Sequence, residues 1–180
     1  VFGHGYSSHV CLLRPKSRGS VKLASADPAA APLIDPNFLA ERDDVERLVR
    51  GVKLMRKILQ QPALSGYGAK EFASSAAAQD DAQIEQLVRS HVDSVYHPVG
   101  SCRMGPGAMD VVDHELRVHG IQGLRVVDAS IMPRVVSGNT NAPTIMIGEK
   151  AADLIKAAAR PQSIRVDAGV ASSQHETVGT

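Results

Sequence analysis

The amino-acid sequence predicts an α+β fold, a mostly antiparallel sheet with flanking helices. Three features lead to this prediction: short alternating apolar runs near the start, two amphipathic helical patterns in the middle, and one apolar helical pattern near the end. Of the 180 residues, 43% are hydrophobic and 22% charged. Because these fractions are close to the roughly 45–50% and roughly 25% of soluble globular domains, we expect a core that needs no disulfide or structural metal.

Charge and cysteine content exclude several classes of protein. The net charge is +1, from 20 basic and 19 acidic side chains, so no basic excess favours nucleic acid or an anionic membrane surface as the main partner. Cys11 and Cys102 are too few for a disulfide framework or a four-thiolate metal site. No apolar run approaches the roughly 18–20 residues that span a bilayer.

The beginning of the chain is unusual. It opens on Val1 rather than Met and shows no basic stretch followed by an apolar one, so a signal peptide is not indicated. We therefore expect a piece of a longer soluble polypeptide. No residue pattern specifies the cellular compartment, and a cytoplasmic protein is favoured over a secreted one.

The first forty residues predict strands and turns. Residues 10–13 and 21–23 are short apolar or alternating runs on either side of the breakers at 15–19, which favours a hairpin. Asp27 and Asp35 each precede a proline, and a residue in that position is driven out of the helical region. An extended stretch is expected there.

Two helices follow. The first has apolar residues at three- and four-residue spacing, with Asp43 and Glu46 as a predicted capping box and Pro62 as the stop. Its apolar face consists of Val45, Leu48, Val49, Val52, Met55 and Leu59. The second covers about 81–93, with an inner face of Ile84, Leu87, Val88 and Val92. Residues 74–79 are small and polar enough for a loop between the two helices.

The last third of the chain begins with a loop rich in Gly and Pro at 96–107. Residues 116–118 and 124–127 predict short strands joined by a turn. A last helix is expected to begin near Pro143, because proline suits the first turn of a helix, and to end at Pro161. Its opening turns are apolar nearly all round, which predicts burial. Residues 160–180 carry few large apolar groups and predict a flexible tail.

The sequence does not indicate metal or hydrolase chemistry. His114 and His119 are five residues apart, whereas the helical zincin motif needs four, so no metal site is predicted. Ser130, Asp128 and His97 could form a triad on paper, but the chain has no Gly-x-Ser-x-Gly elbow. Cys102 follows His97 by five residues, which permits a thiol nucleophile without indicating one. Neither a Gly-x-Gly-x-x-Gly nor a Walker sequence occurs.

Two loops contain unusual residue choices. His97 stands before a proline just after a helix, where it could simply pack half-buried in a turn. Residues 137–144 could simply cap the last helix, with Thr140 or Asn141 accepting its free N–H groups. A helix start of this kind also carries partial positive charge and free donors, which suits a reduced flavin or an alkoxide.

Taken together, the ordered blocks of the chain resemble the C-terminal part of the glucose–methanol–choline oxidoreductases, flavoenzymes that oxidise alcohols. Within that family the likeness is greatest to choline dehydrogenase-like alcohol dehydrogenases, and it covers about residues 1–158. The blocks that carry the resemblance are 9–19, 96–105, 123–130, 137–147 and 149–155.

The resemblance implies an active site. His97 corresponds to the base that takes the substrate hydroxyl proton as hydride leaves for N5 of FAD, and Asn139 to a second catalytic residue. Asn141 lies close by, and counting from Asp128 favours Asn139. Hydride removal is easier as the alcohol oxygen becomes alkoxide-like. Imidazole can take the proton, and an asparagine N–H can donate to the same oxygen.

The resemblance also implies the cofactor contacts and the domains. Asp128 and Ala129 correspond to the strand end that meets FAD, Pro143 and Thr144 to the helix start beneath the isoalloxazine ring, and Asn139 belongs to both sites. Residues 1–125 would form a substrate-binding and catalytic domain, and residues 126–159 a strand and a helix packing on an FAD-binding domain. The final helix would thus belong with an FAD-binding domain that the sequence lacks.

The expected activity is oxidation of an alcohol to an aldehyde by hydride transfer to FAD. The alcohol is not specified, and oxygen, a quinone or another carrier could accept the electrons. A hydroxynitrile lyase on the same scaffold is one alternative. Because the usual dinucleotide cradle is absent, a folded module that is inactive in isolation is another.

Overall fold

The computed structural model describes residues 4–159 and has an α+β fold, as predicted. The predicted tail at 160–180 and the predicted stop at Pro161 lie outside these residues. In chain order the elements are β1 (Ser20–Lys22), β2 (Leu33–Asp35), α1 (Arg42–Leu59), α2 (Pro62–Ser65), α3 (Ala73–Ala76), α4 (Asp81–His91), a 3-10 turn (Ala129–Ile131) and α5 (Asn141–Ala159).

The sheet is small and antiparallel. β1 pairs with β2 in a register that sets Val21 opposite Ile34. The predicted strand at 10–13 is wrong: Val10 and Leu12 instead pack against the cluster formed by the first helices. The reversal expected at 15–19 does not pair the flanking runs, because the amides of Lys16 and Ser17 are bound by a side chain of α1 rather than by a strand.

The first core lies between α1 and α4. Their predicted apolar faces meet, and Val45 and Ile84 are almost fully buried there. The capping box predicted at Asp43 and Glu46 is wrong. Glu41 precedes α1 and makes no side-chain cap, whereas Asp80 and Gln83 form a capping box at the start of α4. The loop predicted at 74–79 is partly wrong, since α3 occupies its beginning.

The second core lies between the segment 104–132 and α5. It is made of Val112, Leu116, Ile131, Met132, Ile147 and Ala151. The strands predicted at 116–118 and 124–127 are reduced to isolated bridges, one of them the antiparallel contact between Arg117 and Arg125. A positive φ of 66° at Leu116 interrupts the extended backbone, so a continuous ladder cannot form there.

Helix α5 packs on one face only. Ile147 and Ala151 are buried, whereas Ile145 and Met146 are 59% and 57% exposed. The prediction that its opening turns are buried all round is therefore wrong for this chain. Among the helices of residues 4–159, none combines the length and apolar content needed to cross a bilayer.

Candidate active site

His97 and the start of α5 are joined by a hydrogen bond. Nδ1 of His97 lies 3.0 Å from Oγ1 of Thr140, in a partly buried position, although the residues are 43 positions apart in the chain. Tyr96 has a left-handed φ of 62°, which turns the backbone immediately before His97. The two loops singled out from the sequence, 96–107 and 137–144, therefore meet at one place.

The loop that follows His97 is held against the 3-10 turn. The amides of Gly100 and Cys102 both donate to the carbonyl oxygen of Ser130, at 3.0 and 3.1 Å, and the amide of Met104 donates to Ile131 at 2.8 Å. Gly100 has a φ of 88°, a conformation that favours glycine. His97 thus precedes a segment whose backbone is tied to the second core.

Asp128 and Ala129 begin the 3-10 turn. The Asp128 side chain is exposed and its Oδ1 accepts a hydrogen bond of 2.7 Å from the amide of Ser130, so it caps the turn. Ala129 packs against the second core. Because Asp128 binds the Ser130 backbone and His97 binds Thr140, the structure does not assemble the Ser130, Asp128 and His97 triad considered above.

Thr140 is the buried residue of the second loop. It is 8% exposed, and its carbonyl oxygen accepts from both the amide and the hydroxyl of Thr144, at 3.0 and 2.6 Å. Helix α5 begins at Asn141, two positions before Pro143. The side-chain cap considered for Thr140 is not observed, because its hydroxyl contacts His97 instead.

Asn139 and Asn141 stand on either side of Thr140 and are both exposed. Neither side chain makes a hydrogen bond to another residue within 4–159. The contact between Thr140 and His97 brings this short segment to the histidine, and both asparagine amides stay accessible for a ligand. The preference for Asn139 over Asn141 therefore stays a prediction from the sequence.

The sequence did not predict the role of Arg14 in this region, nor that of Thr140 as the partner of His97. Nε of Arg14 donates to the hydroxyl of Ser137, and the Arg14 carbonyl accepts a 3.0 Å hydrogen bond from Arg47 of α1. The block at 9–19 contained Arg14, but nothing in the local pattern indicates a partner so distant in the chain. The Ser137 loop is thus connected to the first core.

Asp44 holds the segment that carries Arg14. Its fully buried carboxylate accepts hydrogen bonds of 2.7 to 2.9 Å from the amides of Lys16 and Ser17 and from the Ser17 hydroxyl. Burial alone would raise the pKa of Asp44, but these hydrogen bonds outweigh burial and lower the pKa. The carboxylate is therefore ionised at neutral pH and fixes the turn next to Arg14.

The start of α5 has free backbone N–H donors, which suit an anionic or electron-rich ring system. The amides of Asn141 and Ala142 donate to no acceptor in the described part of the chain, and the first turn contains no acidic residue. Such a helix end favours negative charge. The residue types here therefore fit a reduced flavin, the group implied by the sequence blocks.

His119 lies outside this site and has a different environment. Nε2 of His119 lies 2.9 Å from the carbonyl oxygen of Gly105, so this ring is engaged by backbone. Across residues 4–159, no three His, Cys, Asp or Glu side chains are grouped as a metal site would require.

The fold is shared with part of a flavin enzyme. An FAD-dependent oxidoreductase from Chaetomium thermophilum superposes with a TM-score of 0.77 and 33% sequence identity, over 81% of this chain and 26% of that protein. This likeness places the fold among oxidoreductases.

The family follows from the sequence comparison. The family model described as GMC oxidoreductase matches residues 15–148, and the chain belongs to this family. Alcohol dehydrogenase [acceptor] of Pseudomonas putida is 48% identical over 153 residues, and an oxygen-dependent choline dehydrogenase of Klebsiella pneumoniae is 47% identical over 153 residues. Each alignment covers 85% of this chain, and the chain spans 28% of the length of each enzyme.

Proposed function

We propose that this chain supplies the substrate-binding and catalytic part of an FAD-dependent enzyme that oxidises an alcohol to an aldehyde, with His97 as the base. One observation carries the proposal: the His97 ring is held at the start of α5 by a 3.0 Å contact with Thr140. The names of the alcohol and choline dehydrogenases that this chain resembles support oxidation over the hydroxynitrile lyase alternative.

His97 performs the proton transfer in this proposal. The alcohol hydroxyl must lose its proton as its carbon loses a hydride, and histidine is the side chain that changes protonation around neutral pH. Nδ1 is occupied by Thr140, and Nε2 makes no hydrogen bond to any residue of 4–159. Nε2 is thus the nitrogen left to receive the substrate proton.

Asn139 complements the base. Its amide N–H can donate to the same alcohol oxygen and stabilise the negative charge that develops there. Asparagine cannot remove the proton itself, so it does not compete with His97. Its exposed position beside Thr140 supports this role.

FAD, when bound, supplies the ring that accepts the hydride. The residues proposed to hold it are Asp128 and Ala129, through their backbone, together with Asn139, Pro143 and Thr144 at the start of α5. The free first-turn amides support this assignment, because they can stabilise the charge of a reduced flavin. The oxidant that completes the cycle is proposed to be oxygen, a quinone or another carrier.

The exposed face of α5 supports the proposed contact with an FAD-binding domain. In this proposal residues 1–125 would form the substrate-binding and catalytic domain, and residues 126–159 would pack on the FAD-binding domain. Ile145 and Met146 are more than half exposed on the described chain, and neighbouring exposed apolar side chains favour a contact with another surface.

Anaerobic flavin reduction tests the proposal. The FAD-loaded enzyme, mixed with a primary alcohol or choline without oxygen, should lose its oxidised-flavin absorbance. His97→Ala should slow that loss by about a hundred- to ten-thousandfold while FAD stays bound. His114→Ala removes an exposed histidine elsewhere and is the control. Flavin that stays oxidised while a cyanohydrin is cleaved would instead establish a lyase.

A further inference from the structure

Thr140 differs from its neighbours in having a buried hydroxyl with one partner. The residue is 8% exposed, and the described chain offers its Oγ1 no hydrogen-bond partner other than Nδ1 of His97. The flanking asparagines are exposed by comparison. A buried hydroxyl directed at a histidine nitrogen determines how that ring is oriented.

Both ends of this contact are fixed independently. The Thr140 backbone is held by two hydrogen bonds from Thr144 to its carbonyl oxygen. On the other side, the amides of Gly100 and Cys102 tie the loop after His97 to Ser130. The contact with Thr140 is the hydrogen bond that the described chain offers the His97 ring, so losing the hydroxyl would free the imidazole to rotate.

The direction of the hydrogen bond has chemical consequences. If the Thr140 hydroxyl donated to Nδ1, the ring proton would sit on Nε2, and Nε2 could not accept another. If Nδ1–H donates to Oγ1, Nε2 carries a lone pair. The second arrangement also survives proton transfer, because a protonated imidazole still has its hydrogen on Nδ1.

We infer that Thr140 is a positioning residue, which accepts a hydrogen bond from Nδ1–H of His97 and thereby keeps Nε2 unprotonated and directed at the substrate hydroxyl. This inference rests on the proposed role of His97 as base. Thr140 does not touch the reacting atoms; it selects the tautomer and the orientation of the residue that does.

Two substitutions of similar size separate the hydroxyl from the shape of the side chain. Thr140→Val replaces the hydroxyl by a methyl group, and Thr140→Ser keeps the hydroxyl and removes the methyl group. The Val variant should reduce flavin about ten- to a hundredfold more slowly, the loss that follows when the partner of a metal-bound histidine is removed. The Ser variant should stay within about threefold of the parent enzyme, since it can still accept from Nδ1.

The tautomer can be measured without turnover. Nitrogen NMR of the whole oxidised protein, labelled with ¹⁵N in its histidine rings, distinguishes a protonated ring nitrogen from an unprotonated one. A His97→Gln spectrum identifies the His97 signals by their disappearance. We expect Nδ1–H in the parent protein and in Thr140→Ser, and a mixture of tautomers in Thr140→Val.

The two readouts distinguish the inference from the function on which it rests. If the parent enzyme reduces no flavin with alcohols, the proposed function fails, and the tautomer spectra still decide whether Thr140 holds Nδ1–H. An Nε2–H tautomer in the parent protein would overturn the inference. So would a Thr140→Ser variant as slow as Thr140→Val, because shape rather than the hydroxyl would then matter.

Discussion

Arg14 donates a hydrogen bond to the hydroxyl of Ser137, across 123 positions of the chain. The contact connects a segment anchored on the first core to the loop that leads into α5. Ser137 has a left-handed φ of 68°, which a serine adopts less readily than a glycine, so an external partner helps to hold the loop in this shape. Thr140 and Asn139 follow within three positions, and the conformation of this loop determines where they lie.

We expect slower flavin reduction when the Arg14 side chain is removed. Arg14→Ala should slow flavin reduction by about two- to tenfold, the range that corresponds to a single hydrogen bond of about 0.5–1.5 kcal/mol. Stopped-flow absorbance with a fixed alcohol measures it. Arg50→Ala, which removes an exposed arginine from α1, is the matched control. Equal rates in both variants would show that Arg14 does not position the loop.

Asp44 predicts a loss of stability. In Asp44→Asn an amide NH₂ replaces one carboxylate oxygen and faces backbone N–H groups that it cannot accept from, which leaves buried donors unpaired. The free energy of unfolding should fall by about 1–3 kcal/mol, measured by urea denaturation.

The neighbouring Asp43 is the control for this measurement. It forms partly exposed ion pairs with Lys16 and Arg47, and pairs of that kind contribute about 0–1 kcal/mol. Asp43→Asn should therefore move the urea midpoint much less than Asp44→Asn. A midpoint that is equally displaced in both variants would contradict the role assigned to the buried carboxylate.

We expect the contribution of Asp113 to the free energy of unfolding to depend on pH. Burial would raise its pKa, but the amide and guanidinium of Arg117 and the amide of Glu115 outweigh burial and lower the pKa to about 2. Since the folded pKa lies below the ordinary value of about 3.9, this contribution is fully present above about pH 4 and is lost as the pH falls through about 2.

Unfolding of Asp113→Asn at several pH values tests the linkage. The variant should be less stable than the parent protein at pH 6, and the difference should shrink as the pH falls from about 4 towards about 2. Asp153→Asn, which removes an exposed carboxylate from α5, is the control for the change in net charge. A stability difference for Asp113→Asn that stays constant over this range would contradict the lowered pKa.

Local patterns predicted the helices well because helical periodicity depends on neighbours three and four residues away. The apolar faces of α1 and α4 were found in this way, and both meet in the first core. Strand pairing is not local. The pattern predicts a hairpin between 10–13 and 21–23, whereas β1 pairs with β2 in the structure. The exposure of Ile145 could not be predicted either. The apolar pattern of α5 indicates burial but does not show which surface would cover each residue.

The candidate site divides in the same way. His97 and the loop at 137–144 were recognised from a resemblance that spans several blocks, whereas their hydrogen bond was not predicted. His97 and Thr140 are 43 positions apart, so no local pattern of the chain can show that they meet. The same holds for Arg14 and Ser137, whose partnership depends on how the N-terminal segment lies on α1.

After His97→Ala, we expect Asn139→Ala to slow flavin reduction the most. If its amide donates to the alcohol oxygen as charge develops, Asn139→Ala should slow flavin reduction on the order of a hundred- to a thousandfold, the usual loss for a donor of this kind. Asn141→Ala is the matched control, because it removes the same group from an exposed position two residues away. Anaerobic stopped-flow at saturating alcohol isolates the reductive step from substrate binding. The reverse result, a normal rate in Asn139→Ala and a slow one in Asn141→Ala, would move the catalytic role to Asn141.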